Sequence, residues 1–143
     1  RFPNGFTQFD DPKITVSAID GSLSMMIKDA DYPQAELLSM PAMTDYSFIL
    51  ENVAVRKADV AFVERAVANT YLKANPGKLV NIAEQKPLRI YPYFIPFKIG
   101  EARLKSTMDG AIALMRDNGE IDKILSKYEN GTPSFYPVAK GYQ

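Results

Sequence analysis

The stretch Ile14-Thr15-Val16-Ser17-Ala18-Ile19-Asp20-Gly21-Ser22-Leu23-Ser24-Met25-Met26-Ile27-Lys28 decides the reading of the fold. Its first six residues mix β-branched and small side chains in the manner of a strand. Asp20-Gly21 breaks that pattern, as turn residues do. From Ser22 onward the period changes, because Leu23, Met26 and Ile27 stand at i, i+3 and i+4, a helical stripe that should end near Pro33. The succession is therefore strand, glycine turn, helix.

Working outward, the same succession repeats. A strand around Ala35 to Met40 precedes a helix opened by Thr44-Asp45, with Phe48, Ile49, Val53 and Val55 mostly on one side. A third strand, Asp59-Val60-Ala61-Phe62-Val63, leads to a helix carrying Ala66, Val67, Tyr71 and Leu72, which Asn75-Pro76-Gly77 stops. Three such units predict an α/β fold with a mostly parallel sheet flanked by helices. Lys78 to Ala83 reads as a further strand. Leu88 to Lys98 is extended and aromatic, and Pro92 and Pro96 confine it to an edge or crossing strand. From Glu101 the pattern is helical. Leu104, Met108, Ile112 and Met115 form one stripe, Asn118-Gly119 interrupts, and Ile121, Ile124, Leu125 and Tyr128 resume. The tail from Asn130 to Gln143 has no periodicity and is expected to be loosely ordered unless Phe135, Tyr136 and Tyr142 dock.

Composition narrows the function. The 143 residues, 46% hydrophobic, suit one compact unit or a unit with an appendage. Lys plus Arg and Asp plus Glu both number 17, so neither a nucleic-acid footprint nor a polybasic membrane patch is implied. With no Cys and no His, Cys/His zinc sites, thiol nucleophiles and Ser-His-Asp catalysis are excluded. No motif calls for a cofactor. No run approaches the roughly 20 apolar residues of a spanning helix.

In a parallel α/β sheet, ligands sit beyond the carboxyl ends of strands, facing helix starts whose free N–H groups attract anions. Three places qualify. At the first, Gly21 admits close backbone approach, and the Ser22 hydroxyl and following amides, beginning with Leu23, suit a carboxylate or phosphate. The alternative is that Ser22 or Asp20 simply caps the helix. At the third, Glu64 places a carboxylate suited to an ammonium, or is a helix-start acid favoured by the dipole. At the second, Thr44, Asp45 and Ser47 read as a plain N-terminal cap, the alternative being that Thr44 or Ser47 also reaches a ligand. Asp59 reads as structural, and the aromatics Tyr91, Tyr93, Phe94 and Phe97 read as core before ligand platform.

Taken in order, these residues resemble the bacterial solute-binding protein family 3, the type II periplasmic binding proteins of amino-acid ABC transporters. Phe6-Thr7-Gln8-Phe9-Asp10-Asp11 is similar to the family's lead-in to its second lobe, and Ile14 to Ser22 to its strand and Gly-Thr or Gly-Ser turn. Ala58 to Glu64 resembles its strand that starts with Asp and ends in an acid. Asp117-Asn118-Gly119-Glu120-Ile121-Asp122-Lys123-Ile124-Leu125-Ser126-Lys127-Tyr128 is similar to its C-terminal signature. Ser22 stands where Thr is commoner, and Glu64 where Asp is commoner.

The resemblance implies a three-layer lobe over residues 1–98, including hinge segments, and over 99–143 helices and a tail that pack on a first lobe lying outside this sequence. It implies a small-molecule solute as ligand, with Ser22 and the turn amides holding an α-carboxylate and Glu64 an α-amino group. It also implies a periplasmic location, a membrane ABC transporter permease as partner, and no catalysis. Cyclohexadienyl dehydratase-like enzymes and ligand-sensing domains of signalling proteins share the fold and are the alternatives. The stripe Leu104, Met108, Ile112 and Met115 should not stay in water, which predicts packing on the lobe, a second chain or a domain swap.

Overall fold

The computed structural model describes Phe2, residues 5–84 and 86–129, and Phe135. The chain divides into two units, Arg1–Leu88 and Arg89–Gln143, so the extended segment after Leu88 belongs with the helices that follow it. The sequence-based boundary was at residue 98.

The first unit opens with a 3₁₀ turn, Gly5–Gln8, and then builds three βα cycles. These are β1 (Thr15–Ile19), α1 (Leu23–Asp31), β2 (Glu36–Met40), α2 (Tyr46–Ala54), β3 (Val60–Ala61) and α3 (Arg65–Ala74). The strands form one parallel sheet in the order β2-β1-β3. Thr15 aligns with Glu36 and Ile19 with Met40 on one side of β1, and Val16 with Val60 on the other. The α/β class with a parallel sheet and flanking helices thus stands.

β1 is the central strand, paired on both edges, and it is also covered on both faces. Its residues alternate between faces. Val16 joins a buried cluster with Ile27 and Tyr32 of the α1 region, Val60, Ala35 and Phe9. On the opposite face the fully buried Ser17 hydroxyl accepts a 3.1 Å hydrogen bond from the Asn52 side chain of α2. Helices therefore lie on both sides of the sheet, which explains the apolar, non-alternating composition of its middle strand. Phe9 is the hub of an aromatic group: Phe2, Phe6 and Tyr32 meet it edge-on with centroids 5.1–6.1 Å away, and Tyr32 stacks on Phe62 at 5.4 Å.

Asp59 locks the other end of the sheet. Its carboxylate accepts from the Thr15 amide at 2.9 Å while its own amide donates to the Thr15 carbonyl at 2.8 Å. The α2 end is closed by a paired motif in which the Lys57 amide donates to the Asn52 carbonyl and the Arg56 amide to the Val53 carbonyl, with Arg56 left-handed at φ 62°.

Two expected strands do not form. Residues 78–83 make a turn and an unpaired extended piece, because the Asn81 side chain accepts from the Ala83 amide and bends the chain. Residues 89–98 form no strand, as Pro92 and Pro96 remove ladder donors. β3 is shorter than expected, ending at Ala61.

The second unit contains α4 (Ala102–Asp117) and α5 (Glu120–Tyr128), which contact one another across Asn118-Gly119. Gly119 has φ 76°, and the Asn118 side chain accepts from the Glu120 amide at 3.0 Å, so this pair ends one helix and starts the next. Neither helix has a buried residue; Leu104 and Ile112 are exposed, and Met108 and Met115 half-buried. The expectation for the tail lies, Phe135 apart, outside the described residues.

Candidate functional site

Because β1, β2 and β3 run parallel as neighbours, their carboxyl ends meet one edge of the sheet. Asp20-Gly21-Ser22 leaves β1 there, Pro41 to Thr44 leaves β2, and Phe62-Val63-Glu64 leaves β3. Each loop runs into a helix, so three helix starts with unsatisfied amides belong to that edge.

The central turn is held by hydroxyls. Gly21 adopts φ 68°, with nothing within 4 Å of where a Cβ would stand. Ser22 precedes α1 in an extended conformation, yet its side chain makes no capping bond. Its Oγ donates instead to the Ile19 carbonyl at 2.7 Å and lies 2.6 Å from the buried Ser24 Oγ. Since a hydroxyl has one proton, the Ser24 hydroxyl donates to Ser22 and accepts from the Ile19 amide at 3.4 Å. Asp20 caps nothing: its carboxylate accepts from the Ser39 hydroxyl and ties β1 to β2. The anion-facing groups left at this turn are the first amides of α1, beginning with Leu23.

At the second loop Asp45 is a true cap, accepting from the Ser47 amide at 2.7 Å. Hydrogen bonds from Ser47, its side chain first and its amide second, hold the Asp45 carboxyl below the usual carboxylate range. Thr44 is half-buried beside it. At the third, Glu64 is exposed, precedes α3 in an extended conformation and makes no capping bond, while its carbonyl accepts from Ala68 at 3.0 Å.

The sequence pattern did not point to a groove beside this edge. An open hollow of about 900 Å³ runs between the loop before α2 and helix α3, lined by Met43, Thr44, Tyr46, Val67, Thr70 and Tyr71 among others. Thr44 thus lines this hollow, whereas Ser22 and Glu64 are not part of its lining. The hydroxyl of Tyr71, one of its lining residues, donates to Glu51. Burial first, then that hydrogen bond and the Glu51 charge, pushes the Tyr71 phenol up to about 12. The small residues Ala66 and Ala74 on α3 also line the groove; in the sequence Ala66 reads only as part of the helical stripe, and nothing singles out Ala74.

The aromatics of the extended segment are not core: Tyr91, Tyr93 and Phe94 are exposed, and Phe97 is half-buried. Among the described residues no cluster of three or more His, Cys, Asp or Glu is placed to hold a metal, and no helix is long and apolar enough to cross a membrane. No family model, curated protein or solved structure matches the chain.

Proposed function

We propose that the chain binds a small polar solute, an amino acid or a related amine or carboxylate, at the carboxyl edge of its sheet, and serves as the periplasmic solute-binding part of an ABC transporter. The observation that carries this reading is the all-parallel order β2-β1-β3, which sends Gly21-Ser22, Thr44 and Glu64 to one edge with Gly21-Ser22 in the middle. Such an edge is where α/β sheets take ligands.

In this reading the amides from Leu23 receive the solute's anionic group. Ser22 supports them by fixing the turn, since its hydroxyl proton is already on the Ile19 carbonyl. Gly21 lets the solute approach the backbone, and Glu64 takes an ammonium. The chain binds and releases without turnover, and a permease is its membrane partner. The α4 stripe Leu104, Met108, Ile112 and Met115 is the face that meets another protein surface.

Calorimetric titration with L-amino acids, simple amines and simple carboxylates tests the proposal. Glu64→Ala should weaken amine-bearing ligands roughly tenfold or more, as loss of a charged hydrogen bond does, and leave plain carboxylates unchanged. No heat with any of these ligands, or equal affinities in wild type and variant, would refute it.

A further inference from the structure

Strand β2 is an edge strand, hydrogen-bonded to β1 alone. The Glu36 amide donates to the Ile14 carbonyl and the Met40 carbonyl accepts from the Asp20 amide, both at 2.8 Å. Residues 36, 38 and 40 therefore turn their backbone groups toward β1. A strand alternates, so Leu37 and Ser39 turn theirs outward. Among the described residues these outward N–H and C=O groups have no hydrogen-bond partner.

Natural edges are usually blunted by charged side chains, Pro, a bulge or a cover. Glu36-Leu37-Leu38-Ser39-Met40 has no Pro and no bulge, carries a single charge at its first residue, and its apolar residues Leu37, Leu38 and Met40 are only half-buried.

We propose that this edge pairs with β2 of a second copy of the chain, antiparallel about a two-fold axis through Leu38. Outward residues must face outward residues, which leaves Leu37 opposite Leu37, Ser39 opposite Ser39, or Leu37 of each copy opposite Ser39 of the other; in the last, each such pair exchanges both backbone hydrogen bonds and Leu38 meets Leu38 as the non-hydrogen-bonded pair. This register pairs the whole strand. It sets Glu36 opposite Met40, so the strand's one charge never faces its own copy, which is what makes the edge self-complementary. The opposite edge, β3, is two residues long and offers no equivalent surface, so pairing closes at a dimer with a continuous six-stranded sheet. The inference is independent of what the carboxyl edge binds.

Sedimentation equilibrium on the full chain tests it. The wild type should dimerise. Met40→Lys places a cation opposite Glu36 twice, and Met40→Glu an anion twice. The lysine variant should dimerise about tenfold more tightly than the glutamate variant, although both burden the fold alike. Leu37→Pro removes an outward donor without touching the β1 ladder and should give a monomer with wild-type circular dichroism. A wild type that stays monomeric at millimolar concentration would overturn the proposal. So would a dimer equally tight in both Met40 variants, which would mean association through another surface such as α4. If the proline variant fails to fold, the Met40 pair still decides.

Discussion

Replacing Tyr71 by Phe keeps the ring and removes the hydroxyl that donates to Glu51. Tyr71 is 8% exposed, so the ring holds its packing and no cavity opens. A hydrogen bond to a charged group contributes roughly 1.5–3 kcal/mol, and the half-exposed Glu51 carboxylate regains water, so about 1 kcal/mol should be lost at pH 7. The pH dependence is more telling. The Tyr71 phenol is raised from 10.0 to about 12 in the folded protein. A raised value favours the protonated form, so its contribution is fully present below pH 10 and is lost as pH climbs through 12. Two units correspond to roughly 2–3 kcal/mol, and solvent screening at Glu51 reduces this to about 1–2 kcal/mol. Urea unfolding of wild type and Tyr71→Phe between pH 7 and about pH 12 should show the wild-type advantage shrinking to nothing at the alkaline end. An advantage constant across this range would refute the account of the Tyr71–Glu51 contact.

Three further outcomes follow from the local geometry. Arg56→Gly should stabilise the first unit by about 1 kcal/mol in urea unfolding, because Arg56 is left-handed in a helix-ending motif where glycine carries no Cβ penalty; a destabilised variant would show that the Arg56 side chain has a contact that matters more. Ser22→Ala should cost about 1 kcal/mol in the same measurement, since it strips a partner from the buried Ser24 hydroxyl and from the Ile19 carbonyl; unchanged stability would mean that the turn stands without its hydroxyl pair. Asp45→Ala should fray the start of α2, and because the Asp45 carboxyl is lowered, its contribution in wild type is present above the usual carboxylate range and disappears as pH falls through the lowered value; helix content followed by circular dichroism from neutral to acid pH should therefore converge for the two proteins.

The first two βα units and α3 were legible because their signals are local. Asp20-Gly21, Pro33 and Asn75-Pro76-Gly77 punctuate the chain, and the apolar period changes between them. The failures concern pairing with distant residues. Leu79, Val80 and Ile82 have the composition of a strand, yet β3 offers only two residues to pair with, and the Asn81 side chain turns the chain away; Val80 is left 83% exposed. Likewise Leu88 to Lys98, expected as an edge or crossing strand, forms no strand, since its prolines remove ladder donors. At the candidate site, the sequence indicates which residues reach the carboxyl edge, since that depends only on strand–loop–helix order. It does not indicate where hydroxyl protons go. Ser22 stands at the cap position and makes no cap, Asp20 reaches sideways to Ser39, and Asp45 alone of these acids caps its helix. The groove along α3 was invisible because it arises between two elements rather than within one.

The most direct test of the binding proposal is amide chemical-shift mapping of the isotope-labelled chain titrated with L-amino acids, simple amines and simple carboxylates. The account predicts concentration-dependent shifts concentrated at Gly21, Ser22, Leu23, Thr44 and Glu64, with the strand interiors unmoved. No shifts with any of these solutes, or shifts confined to the groove residues Val67, Thr70 and Tyr71, would contradict it.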